Sequence, residues 1–267
     1  MLSRLYYGYR ILATGSSFAL FGIGGLIAGL TLFPLLHSLP GDRKNKERRA
    51  QRLVHLMFRF FVRFMECLWV TRVEVTHRER MQSANGVVFI ANHPSLLDVV
   101  VMIAAIPHTN CIVKQSLFRN PFTRWVIRGA GYIANDDPDK VIDACHERLS
   151  RGDNLIIFPE GTRTTPGHPL KLQRGAAHII LRNRPTVVPI RIGCHPTTLT
   201  KGTPWYRVSP QRFVLSLNVG LPWDYPVDPS LTESRQVRQL TRAMAHKLNL
   251  ELTSNESIRT RTEAINC

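Results

Sequence analysis

The chain is short of acid. Its 267 residues carry 35 lysines and arginines against 19 aspartates and glutamates, a formal net charge of +16. Such an excess belongs to a protein that works beside anionic partners: membrane lipid, nucleic acid or phosphorylated substrates. Cysteine is scarce as well. The five thiols stand at 67, 111, 145, 194 and 267, an odd and widely spaced set with neither a disulfide framework nor a metal-ligand spacing. Single buried thiols in a reducing compartment are the plain reading. No metal-ligand cluster is visible, so no metal is expected. No serine stands in a Gly-x-Ser-x-Gly elbow, which removes the signature of a covalent serine intermediate. There is no internal repeat. No recognition module accompanies the basic residues, and nucleic acid is therefore not an expected partner.

Charge is absent altogether from residues 11 to 36. As a helix these 26 residues are about 39 Å long, enough for a hydrocarbon core of about 30 Å. A cleaved signal peptide fits poorly, because the apolar stretch is long and lacks a small-residue cleavage site. Glycines 22, 24, 25 and 29 and Pro34 let the segment pack closely or bend, so it either spans or dips in and returns. Arg4 and Arg10 precede it. Arg43, Lys44, Lys46, Arg48, Arg49 and Arg52 follow, and this heavier flank predicts a cytoplasmic face for residues 43–52. After a turn at Pro40-Gly41-Asp42, residues 45–69 read as a second helix. Leu53, Leu56, Met57, Phe60, Phe61, Phe64, Met65 and Leu68 recur at helical spacing, with Arg52, Arg59 and Arg63 among them. One side of that helix suits a lipid interface and another suits packing on a following domain. Residues 1–69 are thus expected to form a membrane-anchoring helical hairpin.

From residue 70 to 250 the pattern changes to strands alternating with helices. Strands are expected at 69–76, 86–91, 111–113, 131–134, 154–158, 186–192 and 213–219. Helices are expected at 96–105, 117–129, 138–151, 172–183 and 231–249. The fold class is α/β, a mixed and mostly parallel sheet flanked by helices. Residues 251–267 read as a flexible polar tail.

Two clusters carry chemistry. His93 and Asp98 follow an apolar run that ends at Asn92, at the carboxyl end of a strand where ligands gather in such sheets. Pro94 and Ser95 turn the chain into a helix whose first turn holds Asp98. That places the carboxylate within reach of one imidazole nitrogen, which fixes the tautomer and frees the other nitrogen to act as a base. Ser95-Leu-Leu-Asp98 is equally a capping-box-like helix start, in which His93 is an ordinary turn residue. The second cluster is Phe158-Pro159-Glu160-Gly161-Thr162-Arg163. Arg163 offers a guanidinium suited to phosphate, Gly161 permits a tight turn, and Glu160 can steady an arginine or place a substrate hydroxyl. A surface turn with a local Glu–Arg pair explains the same residues.

His93-x4-Asp98 with Phe158-Pro-Glu-Gly-Thr-Arg163 resembles the glycerolipid acyltransferase family typified by 1-acyl-glycerol-3-phosphate acyltransferase. Lys114-Gln-Ser-Leu-Phe118 with Pro121, and Val187-Val-Pro189-Ile190, resemble further blocks of that family. The likeness covers roughly residues 70 to 220, with four blocks in order. It implies a membrane-bound enzyme with an acyl-CoA or acyl-carrier-protein donor, a lysolipid acceptor and no cofactor. It makes His93 the base, Asp98 its orienter, and the 160–163 turn with Lys114 and Asn135 the substrate-binding set. The second block departs from the family. Asn135 stands near the position of an expected cation, and an amide cannot neutralise a phosphate. Lysophosphatidic acid is then expected to lose to a lysophospholipid, an ornithine- or aryl-polyene-type lipid or another hydroxylated acceptor, unless Arg128, Arg163 or Arg174 compensates. A lipid thioesterase or esterase using the same base is the competing reaction. Backbone N–H groups near the helix start, or Lys114, are the expected oxyanion donors. An inner-membrane location with the site facing the cytoplasm follows from the anchor and its basic flank.

Overall fold

The computed structural model describes residues 2–265, with side chains from residue 4 through 249. The apolar run gives α1 (Leu2–Leu30) and α2 (Leu32–Ser38). The break falls at Thr31 because Pro34 has no N–H to return to the helix before it. Asp42 caps α3 (Arg43–Cys67) by accepting from the Asn45 N–H, an oxygen cap of the kind that stabilises helix starts by about 1 kcal/mol. The remaining elements are β1 (Thr71–Thr76), α4 (Glu79–Gln82), β2 (Val88–Ala91), α5 (Asp98–Ala105), β3 (Thr109–Lys114), α6 (Arg124–Gly129), β4 (Ile133–Asn135), α7 (Pro138–Ser150), β5 (Asn154–Ile157), α8 (Gly175–Asn183), β6 (Val187–His195), β7 (Phe213–Val219) and α9 (Glu233–Ile265).

The seven strands lie in the order β1-β7-β6-β2-β5-β3-β4. All neighbours are parallel except β6 and β7. The central strands β2 (VFIA) and β5 (NLII) are buried at every position, as expected where helices cover both faces of a parallel sheet. Phe89 joins the core beneath α1, α3 and α5, while Val88 and Ile90 join the core beneath α7, α8 and α9.

Three of the differences from the sequence pattern have a clear physical cause. The helix expected at 117–129 is a single 3₁₀ turn, Gln115–Phe118, followed by α6; Pro121 separates them by restricting the residue before it. The helix expected at 96 begins at Asp98, because residues 93–97 are needed to turn the chain. The last helix continues through Ile265, past the point where its apolar spacing stops, so the residues expected as a flexible polar tail are helical as far as Ile265. Cys267 lies outside the described residues.

The N-terminal residues are helical, as expected, with one difference at Arg10. Arg10 does not flank a membrane segment as a headgroup cation. It is 2% exposed, and its guanidinium donates to the carbonyls of Ser209, Trp69 and Val70, tying α1 to the start of the sheet. α3 serves two roles on different faces: Ala50, Val54, Phe61 and Met65 are buried while Leu56 and Phe60 are exposed. Of the thiols, Cys111 and Cys145 are buried as expected, Cys194 is half-buried and Cys67 is exposed. Burial pushes the Cys111 and Cys145 thiols up to about 12, which leaves them inert at neutral pH.

Candidate active site

The predicted site residues converge on one edge of the sheet. β2, β5, β3 and β4 are consecutive parallel neighbours. His93 follows the carboxyl end of β2, the 158–163 turn follows β5, and Lys114 and Asn135 close β3 and β4 as register partners. Lys114 and Asn135 are both exposed.

His93 Nδ1 lies 2.9 Å from Asp98 Oδ2. The same carboxylate oxygen accepts from the Ser95 N–H at 2.7 Å, and Ser95 Oγ accepts the Leu97 N–H at 3.5 Å. The helix-start reading and the base-orienter reading are therefore both present, built on one oxygen. Asp98 is fully buried and its Oδ1 makes no hydrogen bond. Burial raises its pKa, against the opposing hydrogen bond and charge of His93 and the Ser95 amide. A carboxylate beside Nδ1 holds the proton there, so Nε2 is the nitrogen that can accept one. Among the described residues Nε2 has no hydrogen-bond partner, and the ring keeps 16% of its surface exposed.

The backbone of His93 is fixed from below. Its N–H donates to Glu160 Oε1 and to Thr164 Oγ1, each at 3.0 Å. The Thr164 hydroxyl donates to Glu160 at 2.6 Å, and the Thr164 N–H donates to the His93 carbonyl at 2.7 Å. The imidazole stacks on the Phe158 ring with centroids 4.3 Å apart. Asn92 bridges to β6, accepting from the Ile192 N–H and donating to the Ile192 carbonyl, both at 2.8 Å.

The second cluster is thus more structural than its composition suggests. Glu160 is 6% exposed. It turns its Oε1 onto the His93 peptide rather than forming the expected arginine pair. Burial raises its pKa, against its hydrogen bonds to Thr164 and His93. Arg163 Nη1 donates to the carbonyls of Leu199 and Thr200, each at 2.9 Å, while its side chain stays half-buried. Gly161 has φ +66° and closes a turn with its N–H on the Phe158 carbonyl at 3.0 Å, a conformation that strongly favours glycine. Thr162 is half-buried in the same turn.

The expected oxyanion donors at the helix start are already engaged. The N–H groups of His93, Ser95, Leu96, Leu97 and Asp98 all have internal acceptors, and Pro94 has none to give. Asn92, Phe158 and Thr164 escaped the sequence reading because none of them titrates; only their adjacency to His93 and to the 158–163 turn marked them. Among the described residues no group of three or more His, Cys, Asp or Glu could hold a metal ion.

A histidine held by a buried aspartate at the carboxyl edge of a mostly parallel sheet is an arrangement suited to general-base chemistry. Residues 72–193 match the family model described as Acyltransferase. The chain is similar to 1-acyl-sn-glycerol-3-phosphate acyltransferases. It is 26% identical to the chloroplastic LPAT1 of Arabidopsis thaliana over 147 residues, 50% of this chain and 41% of that protein. It is 37% identical to that of Helicobacter pylori strain J99 over 94 residues, 33% of this chain and 40% of that protein. The human beta enzyme is 27% identical over 139 residues, 49% of this chain and 50% of that protein. The matched segment therefore spans half or less of these relatives. The fold is that of the crystal structure of the 1-acyl-sn-glycerophosphate (LPA) acyltransferase PlsC from Thermotoga maritima. The TM-score is 0.61 at 20% identity, covering 90% of this chain and 97% of that one.

Proposed function

We propose that this protein transfers a fatty acyl group from an acyl-CoA or acyl-carrier-protein thioester to the hydroxyl of a lysolipid. The observation that carries the proposal is His93 held by a buried Asp98, with its second nitrogen left unpaired at the carboxyl edge. Nε2 removes the acceptor's hydroxyl proton as the oxygen attacks the thioester carbonyl. The tetrahedral intermediate collapses with cleavage of the C–S bond, and the imidazolium returns its proton to the departing sulfur. Asp98 stabilises the imidazolium without taking a proton itself. No cofactor enters; the thioester is a co-substrate.

Lysophosphatidic acid, or a lysolipid of similar headgroup size, is the acceptor we favour. Strands in a sheet are about 4.8 Å apart, which places β3 roughly 10 Å and β4 roughly 14 Å from β2. Lys114, on the nearer strand, reaches toward the acceptor phosphate more readily than Asn135. The charge that Asn135 lacks is then supplied by its register partner, and similarity to 1-acyl-sn-glycerol-3-phosphate acyltransferases supports that acceptor.

Membrane attachment is the second part of the proposal. Arg4–Ser38 is a helical stretch long and apolar enough to cross a membrane by length and composition, and little of it is buried in the protein. Leu12, Ile23, Ile27, Leu30 and Leu35 are exposed, while Gly15, Gly25 and Gly29 pack against Trp205, Phe122 and Trp125. Such a face suits the dip-and-return alternative, with the basic flank at 43–52 directed to the anionic cytoplasmic leaflet.

The test is purified protein with labelled acyl-CoA and acyl-carrier protein against a lysolipid panel, read by product mass. His93→Ala and Asp98→Asn are each expected to lower kcat by roughly 10²–10⁴. Lys114→Ala is expected to raise KM for lysophosphatidic acid more than for a zwitterionic lysolipid. Thiol release that is independent of any acceptor would point to hydrolysis, and full transfer by His93→Ala would refute the site.

A further inference from the structure

A charged cavity lies mainly toward the amino-terminal ends of β4 and β5, with Phe118 from the turn after β3 also lining it. Its volume is about 530 Å³, and its walls include His37, Arg43, Lys46, Glu47, Arg128 and Arg148. Gly131 and Tyr132, which also line it, lead into β4, and Arg148 lies in the last turn of α7, just before β5. These mark the amino-terminal edge of the strands. Arg128, named from the sequence as a possible partner for the acceptor phosphate, belongs to this cavity.

The charges do not cancel. Among the described residues Glu47 is the only acid in the wall, and it is taken up by Arg148, by Arg43 at 2.9 Å and, from beside the cavity, by Arg151 at 2.9 Å. Gly131, at φ +69°, leaves room for this knot: a Cβ there would stand 2.8 Å from Glu47 Cδ. Arg148 is 4% exposed, and its Nε makes no hydrogen bond. Lys46 and Arg128 form no ion pair among the described residues, and Arg128 only reaches the Phe118 carbonyl, at 3.5 Å. Arg148 is spent on Glu47, which leaves Lys46 and Arg128 as two uncompensated cations in a concave wall, a setting suited to an oxyanion.

The rim is apolar. His37 sits near the end of α2, and exposed Leu32, Leu35 and Leu39 run up to it along the same helix and its cap. Exposed Phe122 and Trp125 meet the neighbouring turn of α1, near Gly25 and Gly29. A soluble phosphate needs no such rim. An anionic phospholipid matches both parts, with its phosphate on Lys46 and Arg128 and its chains over the leucines. We propose that this cavity binds the headgroup of an anionic membrane phospholipid, at a site separate from the one that performs chemistry. The proposal rests on the membrane attachment proposed above, though not on acyl transfer.

The test is sedimentation of the full chain with phosphatidylcholine vesicles, with and without about one-fifth phosphatidylglycerol. Two charges near a membrane surface change affinity on the order of tenfold or more. Lys46→Gln with Arg128→Gln should remove about that much of the gain that phosphatidylglycerol gives, leaving binding to phosphatidylcholine and the melting temperature unchanged. A charge-matched control, Arg235→Gln with Arg238→Gln on α9, should keep the gain. Equal losses in the two pairs, or none in the first, would overturn the site. So would displacement from phosphatidylglycerol vesicles by free coenzyme A or pyrophosphate, which would assign the pocket to a soluble phosphate. If wild-type protein failed to bind either vesicle, the membrane reading itself would fall; loss of transfer activity alone bears on neither result.

Discussion

At the residue scale, the site's less obvious feature is how much of its chemistry-bearing composition is spent on holding one peptide. Glu160 and Thr164 grip the His93 N–H, and Thr164 takes its carbonyl. The cost is a buried carboxylate whose folded pKa is raised. The sign follows from linkage: a carboxyl with a raised folded pKa binds its proton more tightly when folded, so stability falls as pH climbs from the ordinary carboxylate range to that raised value. Above it the deficit is constant, and below the ordinary value it vanishes. Glu160→Gln keeps an acceptor oxygen and removes the charge. Thermal melts across acid to neutral pH should show the variant's advantage over the parent growing with pH and then levelling. An advantage independent of pH, or one that grows toward acid, would contradict the assignment. His93, Asp98 and Gly161 were legible from the sequence because their spacing after a strand forces the geometry. The partners of Glu160 and Arg163 were not, because they come from the His93 loop and from residues 199 and 200, and spacing along a chain says nothing of contacts brought together by folding.

At the scale of elements, close approach decides how the N-terminal hairpin sits. A Cβ at Gly25 would stand 2.9 Å from the Phe122 carbonyl, and one at Gly29 would stand 2.9 Å from Trp125 Cβ. The glycine pair is what lets α1 lie against α6 and its preceding turn. Phe33 of α2 does the same over Gly129, where a Cβ would meet its ring at 2.5 Å. The sequence offered these glycines as either a packing surface or a bend; the structure uses 25 and 29 for packing, while the bend falls at Thr31, ahead of Pro34. Gly29→Val should therefore destabilise the protein. Overpacking costs about 1–3 kcal/mol, and valine recovers little helix propensity relative to glycine. Melting of the detergent-solubilised variant should shift down by several degrees, with faster proteolytic release of the first 40 residues. An unchanged melt would mean that α1 is not held by α6.

At the scale of the whole molecule, the question is whether α1 crosses a bilayer or lies along it. Arg10 is tied to the start of the sheet and to Ser209, while Gly29 rests on Trp125. These contacts are nineteen residues apart, about 28 Å of helix. In between, Phe18 meets Trp205, and Phe21 meets Phe58 and Phe61. A helix held to one domain along such a length cannot send one end through the membrane while the basic domain stays in water. It can lie in the interface, with Ile23 and Ile27, each more than half exposed, directed into lipid. The two arrangements respond differently to charge. Aspartates near the centre of a spanning helix cost about 3 kcal/mol each and oppose insertion; on an in-plane helix they weaken the hold on lipid and leave the protein folded. Ile23→Asp with Ile27→Asp should accordingly move the chain from the membrane fraction to the soluble fraction as a folded, monodisperse species with an unchanged melt. Recovery of the variant only as misinserted aggregate, or its continued resistance to alkaline extraction, would show that the helix spans.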